Sequence, residues 1–299
     1  MYVFIVNPDA GKGQAAGLWR ETEKILQQQT IDYRVLMSSS ETATQSFIAE
    51  QQQLYTLKAI AVIGGDGTTS SVIQSIAKTT TALAILPAGS GNDTARMFTL
   101  TTQPARFIEQ LVAHQTTAID LLTINGRYGI TVAGIGLDAT IGQRVNQSWY
   151  KPVLNKLGIG SFAYTIAAVI GLLTFQAFTS DVTIDGHTFP MKTTWLIACG
   201  NTSSYGGGLV VCPQASPVDD LLNLTLLHDV GRMKILFQFF PALLRGQPIL
   251  RKGVTYIEGK EVVITSDRPV AAIVDGEIVT STPLHVAIHE QALTLVLTL

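Results

Sequence analysis

One short segment combines glycines with an acid in a way that suits phosphate chemistry. Residues 64–68 read Gly-Gly-Asp-Gly-Thr, follow an apolar run and precede a helical pattern. Glycines let a backbone approach a phosphate closely, and the amides at a helix N-terminus attract anions. Asp66 would repel a phosphate unless Mg²⁺ or an ordered water lay between them, which is the arrangement that phosphoryl transfer requires. The alternative is a tight turn in which Asp66 caps the helix.

Two further loops follow apolar runs in the same manner. Residues 86–94 place small residues at a turn and an acid, Asp93, at the start of a helix. Helix capping by Asn92 and Asp93 is equally compatible with that pattern. Residues 7–13 form a third loop, which lacks the spacing of a Walker A motif, and Lys12 in it fits an ordinary solvated charge as well. Because the carboxyl ends of parallel strands meet at one edge of a sheet, we expect the three loops to lie together.

Two acid-bearing turns lie late in the chain. Residues 271–279 are apolar on both sides of Asp275-Gly276, which is a strong hairpin signal. Asp275 and Glu277 at such a hairpin could also accept a hydroxyl proton, as an aspartate does in kinases. Residues 213–220 hold paired acids that could bind a hard cation with help from carbonyl oxygens, although a plain solvated turn fits them equally well.

Other site classes find little support in the sequence. Residues 134–139 match the glycine spacing of a dinucleotide fingerprint, but no acid lies about twenty residues further on and no parallel βαβ pattern surrounds them. His285 and His289 fall in an apparent strand, so we interpret both as structural. Cys199 and Cys212 do not have the spacing of a zinc site, and two cysteines exclude a disulfide framework and favour a reducing compartment.

The first part of the chain alternates apolar runs with helical patterns, which predicts a parallel sheet covered by helices. The predicted strands are residues 2–6, 31–36, 59–63 and 82–86, and the helices between them are residues 14–29, 43–53 and 69–78. From about residue 116 onward, strand-like pieces with turn signals predict an antiparallel sheet. They are residues 118–124, 129–133, 181–184, 195–199, 222–227, 261–265, 271–274 and 284–288. The change in pattern predicts two domains, 1–115 and 116–299.

Composition narrows the function further. The 299 residues are 46% hydrophobic and 14% charged, and 20 lysines and arginines against 22 acids give a net charge of -2. This balance argues against a protein that binds nucleic acid through its phosphates. The first residues lack the pattern of a signal peptide, so we expect a cytoplasmic protein.

Two unusually apolar stretches leave several structural interpretations open. Residues 157–180 contain no charge, and residues 233–240 lie within a predicted helix over 231–244. The first stretch is long enough to cross a membrane, but its glycines, threonines and a glutamine favour a buried helix or a helix that touches a membrane surface. Core packing, a homodimer interface, a lipid-binding role and reversible peripheral contact with a membrane remain open.

Together these motifs resemble the diacylglycerol kinase catalytic-domain family, which includes soluble bacterial lipid kinases. The resemblance covers nearly the whole chain and rests on Asn7-Pro8 with Gly11 and on the motifs at 64–68, 86–93, 213–219 and 275–277. It implies an N-terminal α/β domain, a C-terminal antiparallel β-sandwich, ATP and Mg²⁺ as cofactors, and a lipid hydroxyl as the phosphoryl acceptor.

The resemblance also implies roles for individual residues. The nucleotide-contacting positions would be Asn7, Pro8, Gly11, Ser40, Gly64, Gly65, Asp66, Gly67, Thr68, Thr69, Ser70, Ser90, Gly91 and Asn92. Asp66 and Asp93 would organise Mg²⁺ and water, and Asp275 and Glu277 match the family's base region, with Glu277 as the proton acceptor. A structural Mg²⁺ would be bound by Asp219 and by the carbonyl groups of Ser216 and Leu221.

Three positions depart from the family pattern. Ser70 and Ser71 stand where the family has Asn and Glu, and Asp220 stands where it has Gly. An aspartate adopts the left-handed conformation less readily than glycine, which bears on the structural metal site. Two other functions therefore remain open beside a lipid kinase: a kinase of a soluble acceptor, similar to NAD kinases, and a non-catalytic binder of nucleotide or lipid.

Overall fold

The computed structural model describes residues 1–147, 169–244 and 252–297. Residue contacts divide the chain into two compact units. We call Met1–Leu121, Pro217–Asp219 and His289–Leu299 the N-terminal unit, and Leu122–Ser216 with Asp220–Ile288 the C-terminal unit. The domain boundary predicted near residue 116 stays a prediction.

The N-terminal unit is built on a parallel sheet. Its strands are β1 (Tyr2–Val6), β2 (Tyr33–Met37), β3 (Ala59–Gly64) and β4 (Ala82–Pro87). They run in the order β2-β1-β3-β4, all parallel. Every residue of β3 and β4 is buried, as expected for strands covered on both faces, whereas β2 is partly exposed at the edge. The four strands and the sheet are as predicted.

Helices cover this sheet. They are α1 (Gln14–Gln28), α2 (Glu41–Leu54), α3 (Asp66–Ile76), α4 (Asp93–Met97) and α5 (Pro104–Ala113). Buried residues on α1 recur at the spacing of one helical face, and Trp19 among them packs with its ring centroid 5.3 Å from that of Phe4. The sequence patterns predicted α1 to α3 and a helix that starts at Asp93, which is α4, but not α5.

The end of the chain completes the N-terminal unit. The long strand β17 (Leu284–Val296) lies beside β4 at its C-terminal end, where Leu295 is the partner of Leu83 in a parallel register. Lys78 N donates a hydrogen bond to Ala292 O (2.7 Å), and Leu297 N donates one to Gln115 O (3.1 Å). The last residues of the chain therefore pack with the first 121.

The C-terminal unit is an antiparallel β-sandwich. Its other strands are β5 (Thr116–Ile124), which begins in the N-terminal unit, β6 (Arg127–Gly129), β7 (Val132–Gly136), β8 (Phe178–Ile184), β9 (His187–Gly200), β10 (Ser204–Tyr205), β11 (Leu209–Val210), β12 (Leu222–His228), β13 (Val254–Gly259), β14 (Glu261–Ser266), β15 (Ala271–Val274) and β16 (Glu277–Ser281). The first half of β9 pairs with β8, while its second half pairs with β7 and β12. One core of alternating inward residues, such as Val182, Ile197 and Val262, lies between the layers. The predicted fold class is confirmed.

Three helical segments belong to the C-terminal unit. They are α6 (Leu137–Gln147), α7 (residues 169–174) and α8, which consists of Arg232–Lys234, a π-helical segment Ile235–Phe239 and Phe240–Leu244. The uncharged stretch 157–180 is therefore not one helix over its described part, because β8 begins at Phe178; residues 157–168 lie outside the described residues. Across the described ranges, none of the helices combines the length and apolar character needed to cross a bilayer.

Candidate functional site

The three glycine-bearing loops of the N-terminal unit touch one another where their strands end. Asn7 N donates a hydrogen bond to Ile63 O (3.0 Å), and Asn7 Nδ2 donates one to Thr68 Oγ1 (3.2 Å). A Cβ added at Gly11 would lie 2.2 Å from Ala88 O. Residues 7–13 therefore contact both other loops, as the order of the strands predicts.

The loops at residues 64–68 and 86–94 meet through backbone atoms alone. A Cβ added at Gly89 would lie only 2.5 Å from the Cα of Gly65, so no side chain fits at position 89. Ala88 N also donates a hydrogen bond to Gly64 O (2.7 Å), which joins the ends of β3 and β4. The two glycines keep these loops at backbone contact distance.

Two carboxylates flank a third glycine in this loop cluster. A Cβ added at Gly91 would lie 2.9 Å from Oδ2 of Asp66 and 3.6 Å from Oδ2 of Asp93. Arg96 Nη1 lies 2.7 Å from Asp93 Oδ1, and its Nη2 donates a hydrogen bond to Gly91 O at 2.7 Å. Both acids are only half-buried, and carboxylate oxygens are the ligands that Mg²⁺ prefers. The donor set around Gly91 therefore fits a magnesium ion beside a phosphate.

The alternative interpretation, in which Asp66, Asn92 or Asp93 caps a helix, requires a side-chain cap that neither α3 nor α4 has. Gly65 is the N-cap of α3, and no side chain caps that end of the helix. Asn92 is the N-cap of α4, in the left-handed conformation (φ 51°), but its side chain bonds Gly89 instead, through Oδ1 to the amide and Nδ2 to the carbonyl, both at 2.9 Å. Asn92 thus fixes the shape of the loop at residues 86–94.

Four of the predicted nucleotide positions differ in the hydrogen bonds and burial of their side chains. Ser40 caps α2, because its Oγ accepts a hydrogen bond from Ala43 N (3.3 Å). Thr69 Oγ1 donates to the carbonyl of Gly65, one turn earlier in α3 (3.3 Å). Ser70 is buried, and its hydroxyl oxygen has no hydrogen-bond partner among the described residues. Ser90 is exposed beside the loop cluster. Nucleotide contacts of these four residues stay predictions.

In the C-terminal unit, the predicted hairpin is present, and hydrogen bonds hold the carboxylate of one of its two acids in place. β15 and β16 pair antiparallel across Asp275 and Gly276, both with positive φ as a type I′ turn requires. Asp275 accepts hydrogen bonds from Ile130 N (2.9 Å), Thr131 N (2.8 Å) and Thr131 Oγ1 (2.6 Å). Glu277 is exposed at the start of β16. Asp275 therefore anchors the hairpin, while Glu277 presents its carboxylate to solvent.

The hydrogen bonds of Asp275 also interrupt one of the predicted strands, so that prediction was wrong. Residues 129–133 do not form a single strand, since β6 ends at Gly129 and β7 begins at Val132. The amides of Ile130 and Thr131, which a strand would pair with another strand, bond the Asp275 carboxylate instead. This interruption was not readable from the apolar pattern of the segment.

The predicted ligands of a structural Mg²⁺ are divided between the units, with Asp219 in the N-terminal unit and Ser216 and Leu221 in the C-terminal unit. Asp220 adopts the left-handed conformation (φ 58°) where the family has glycine, and its carboxylate makes a salt bridge with Lys260. Among the described residues, no three acidic, histidine or cysteine side chains group as a metal site. The metal at this turn stays a prediction.

Two buried acids were not singled out from the sequence. Asp120 on β5 is buried, its amide donates to Pro217 O (2.7 Å), and its Oδ1 accepts from Gln291 N (2.8 Å). Asp138 at the start of α6 is buried, and burial raises its pKa to about 7, partly offset by a hydrogen bond from Tyr205. The available signal was a single acid inside an otherwise apolar segment in each case.

The glycine spacing at 134–139 lies in an antiparallel setting, as the sequence suggested. β7 pairs antiparallel with β9 and with β15, so these residues do not belong to a parallel βαβ unit. Cys199 and Cys212 are free thiols in the core, and burial raises the pKa of both. His285 lies in β17 with its Nε2 2.6 Å from Glu261 Oε1.

Two family models match the chain. The first, described as the diacylglycerol kinase catalytic domain, matches residues 1–124. The second, described as the YegS C-terminal NAD kinase beta sandwich-like domain, matches residues 131–297. Together they account for nearly all of both units.

Individual proteins agree with these models. A protein of Mycobacterium tuberculosis (strain CDC 1551 / Oshkosh) named diacylglycerol kinase is 34% identical over 210 residues, which are 68% of this chain and 65% of that protein. The crystal structure of a diacylglycerol kinase from Bacillus anthracis str. Sterne has a TM-score of 0.75 at 20% identity, over 99% of this chain and 96% of that one. Yeast NADH kinase, in complex with NADH, has a TM-score of 0.51 at 10% identity, over 100% of this chain and 84% of that one. The two structures show similarity of fold.

Proposed function

Because the chain belongs to the family of the diacylglycerol kinase catalytic domain with its β-sandwich partner domain, we propose that it is an ATP-dependent lipid kinase. It would transfer the γ-phosphoryl group of ATP to the hydroxyl group of a lipid such as diacylglycerol. The observation that carries this proposal is the loop cluster, where two backbone segments meet at Gly65 and Gly89 and two carboxylates flank Gly91. Such a cluster suits a polyphosphate with its metal.

The residues of the loop cluster would divide the work of binding. The backbone of residues 64–67 and 89–91 carries no bulky side chain and can approach the phosphates, with the amides at the start of α3 supplying positive charge. Asp66 and Asp93 would hold Mg²⁺, which neutralises charge on the phosphates when it is bound. Arg96 orients the Asp93 carboxylate through their salt bridge.

The proton of the acceptor hydroxyl needs a base, and Glu277 is our choice. Its carboxylate is exposed, whereas the oxygens of Asp275 already accept three hydrogen bonds. In the proposed step the lipid oxygen forms a bond to the γ-phosphorus, the bond from that phosphorus to the β-γ bridging oxygen breaks, and the hydroxyl proton passes to Glu277. Asp275 acts as a positioning residue for the hairpin that carries Glu277.

The deciding experiment is transfer of labelled phosphate from ATP, with Mg²⁺, into a panel of acceptors. The panel contains diacylglycerol, phosphatidylglycerol and a polyprenol in mixed micelles, with free NAD as the soluble acceptor. We expect label in a lipid and none in NAD. Label in NAD would replace the proposal by a soluble-acceptor kinase, and ATP binding without label in any acceptor would favour a non-catalytic binder.

A second candidate function rests on the departures at Ser70 and Ser71. Ser70 has a buried hydroxyl oxygen without a described partner, and Ser71 Oγ donates to Gly67 O (3.0 Å) within its own helix. Neither hydroxyl replaces the longer polar side chains that the family carries there. A binder that has lost turnover would still be stabilised by ATP, so thermal unfolding with and without ATP accompanies the transfer assay.

A further inference from the structure

The turn before β12 carries an aspartate where the family pattern has glycine. Asp220 adopts the left-handed conformation there, with a φ of 58°. A residue with a side chain is less stable in this conformation than glycine, because its Cβ comes too close to the following carbonyl oxygen. An aspartate at this position therefore requires a contact that compensates for the strain.

Lys260 supplies that contact from the neighbouring strand pair. It is the single residue between β13 and β14, and its ammonium group makes a salt bridge with the carboxylate of Asp220. Leu222, at the start of β12, is the antiparallel partner of Gly259, at the end of β13. Because the turn precedes β12 and Lys260 follows β13, this register brings the two charged residues to the same end of the strand pair.

A second acid holds the backbone of Lys260 in place. Asp185, in the turn between β8 and β9, accepts hydrogen bonds on its Oδ1 from Lys260 N (3.1 Å) and from Glu261 N (2.9 Å). Asp185 N in turn donates a hydrogen bond to Glu261 O (3.0 Å). The backbone that carries the ammonium group is therefore fixed beside the turn.

The residues of this turn do not fit a structural Mg²⁺ well. The family resemblance implies ligands from Asp219 and from the carbonyl groups of Ser216 and Leu221. Two of these three residues are the chain neighbours of Asp220, so the ion would lie close to the ammonium group that already neutralises Asp220, and the two cations would repel each other. Mg²⁺ also requires near-octahedral oxygen ligands, whereas an ammonium group contacts a carboxylate as a point charge with three donors.

We propose that the ammonium group of Lys260 takes the place of the structural cation in this chain, so that residues 216–221 fold without Mg²⁺. The ammonium group neutralises the acid of the turn and ties the turn to the connection between β13 and β14. This role goes beyond the proposed kinase activity, because it concerns the stability of the C-terminal unit. The Mg²⁺ proposed at Asp66 and Asp93 is a different ion.

Thermal unfolding of the full chain without nucleotide tests whether the turn binds a metal. The probe is Mg²⁺ in excess, compared with EDTA in excess. The variant Asp66→Ala removes a ligand of the loop cluster, and we compare it with the double variant Asp66→Ala/Asp219→Asn. If the turn binds no Mg²⁺, the difference in unfolding temperature between Mg²⁺ and EDTA should be the same in the two proteins to within about 1 °C.

Variants of Lys260 measure what its charge contributes. Lys260→Met removes the charge but leaves a long side chain, and it should lower the unfolding temperature by about 2 °C or more, whereas Lys260→Arg should keep the wild-type value. Lys192→Met, at an exposed position of β9, is the matched control for the loss of one positive charge and should leave the temperature unchanged. When Asp220→Gly is already present, Lys260→Met should change the temperature by less than about 1 °C, because the partner is absent.

Three results would overturn this role of Lys260. They are a stabilisation by Mg²⁺ that is lost with Asp219→Asn, a Lys260→Met protein as stable as Lys192→Met, or an equal effect of Lys260→Met with and without Asp220→Gly. Absence of label in every lipid would contradict the proposed kinase activity and leave the role of Lys260 standing, since unfolding is measured without ATP.

Discussion

At the scale of single residues, Asp66 tests the proposed chemistry of the loop cluster. It is half-buried in the loop cluster, near Gly91 and beside Asp93. We expect Asp66→Ala to lower phosphoryl transfer by about 10²-fold or more, since a group that holds charge in the transition state is lost. The transfer assay and a thermal unfolding curve are the measurements.

A matched control for Asp66 lies on the same unit. Asp32 is an exposed acid just before β2, so Asp32→Ala changes the net charge equally and should alter transfer less than about twofold. If Asp66→Ala kept full activity, the role assigned to this carboxylate would be wrong.

Substitution of Asp275 should lower stability, whereas substitution of Glu277 should lower activity. Asp275→Asn replaces one accepting oxygen by an amide, which leaves a backbone donor of the 130–131 segment without its partner. We expect a loss of about 1–3 kcal/mol in the free energy of unfolding. Glu277→Gln should leave stability unchanged and lower kcat by about 10²-fold or more, because the proton acceptor is lost.

Thr131 supplies the control for the Asp275 anchor. Thr131→Ser keeps the hydroxyl that bonds Asp275 at 2.6 Å, whereas Thr131→Val removes it. The valine variant should be less stable than the serine variant by about 1–2 kcal/mol in urea unfolding. A destabilised Glu277→Gln with a fully stable Asp275→Asn would reverse the roles proposed for the two acids.

Asp138 links stability to pH. Its carboxyl group has a pKa of about 7 in the folded protein, because burial disfavours the charged form, and ionises near pH 4 in an unfolded chain. Between these values the folded state holds one proton more than the unfolded state. Its contribution to stability is therefore complete below about pH 4 and falls as the pH rises to about 7, by at most about 1.4 kcal/mol per pH unit.

Urea unfolding across this pH range, for the wild type and Asp138→Asn, measures the effect. The asparagine cannot ionise, so the difference in unfolding free energy between the two proteins should change steadily from pH 4 to pH 7 and level off above. Parallel curves would mean that Asp138 is ionised in the folded protein.

At the scale of elements, the contact between the loops at residues 64–68 and 86–94 depends on Gly89. A methyl group there would lie 2.5 Å from Gly65 Cα and 2.8 Å from Asn92 Oδ1, so Gly89→Ala must push the loops apart. We expect the KM for ATP to rise about tenfold or more, measured by the transfer assay. Gly17→Ala on α1 is the control, since its methyl group would meet nothing within 4 Å and alanine favours helix. An unchanged KM in Gly89→Ala would remove these loops from the nucleotide site.

The elements most accurately predicted are those whose own residues decide their structure. β1, β3 and β4 are continuous apolar runs, and each begins and ends within one residue of its predicted bounds. The loops after them contain glycines and acids, which is why the contacting residues at 64–68 and 86–93 were recognisable. Parallel order alone then brings them to one edge.

The elements that were missed are decided by partners far away in the sequence. The break between β6 and β7 exists because Asp275, about 145 residues later, takes the amides of Ile130 and Thr131. The length of β17 exceeds its predicted span because residues 289–296 join the N-terminal unit. The burial of Asp120 depends likewise on Gln291, because Asp120 Oδ1 accepts a hydrogen bond from Gln291 N.

At the scale of the whole molecule, neither unit is a continuous piece of chain. The N-terminal unit needs Pro217–Asp219 and His289–Leu299 as well as its first 121 residues. This arrangement means that the sheet that carries the glycine loops is incomplete until the last residues have been added. A cut after residue 121 would therefore not yield an intact N-terminal unit.

Leu295 tests this dependence in the full chain. Its side chain is fully buried, it is the parallel partner of Leu83 on β4, and Val296 beside it belongs to the core that contains Phe4 and Trp19. We expect Leu295→Ala to lower the free energy of unfolding by about 2–5 kcal/mol. The unfolding temperature measured in the presence of ATP should fall as well. Glu290→Ala, at an exposed position of the same strand, should change neither quantity. A Leu295→Ala protein as stable as the wild type would show that the N-terminal sheet does not depend on the end of the chain, and residues 1–121 could then be tested as an independent nucleotide binder.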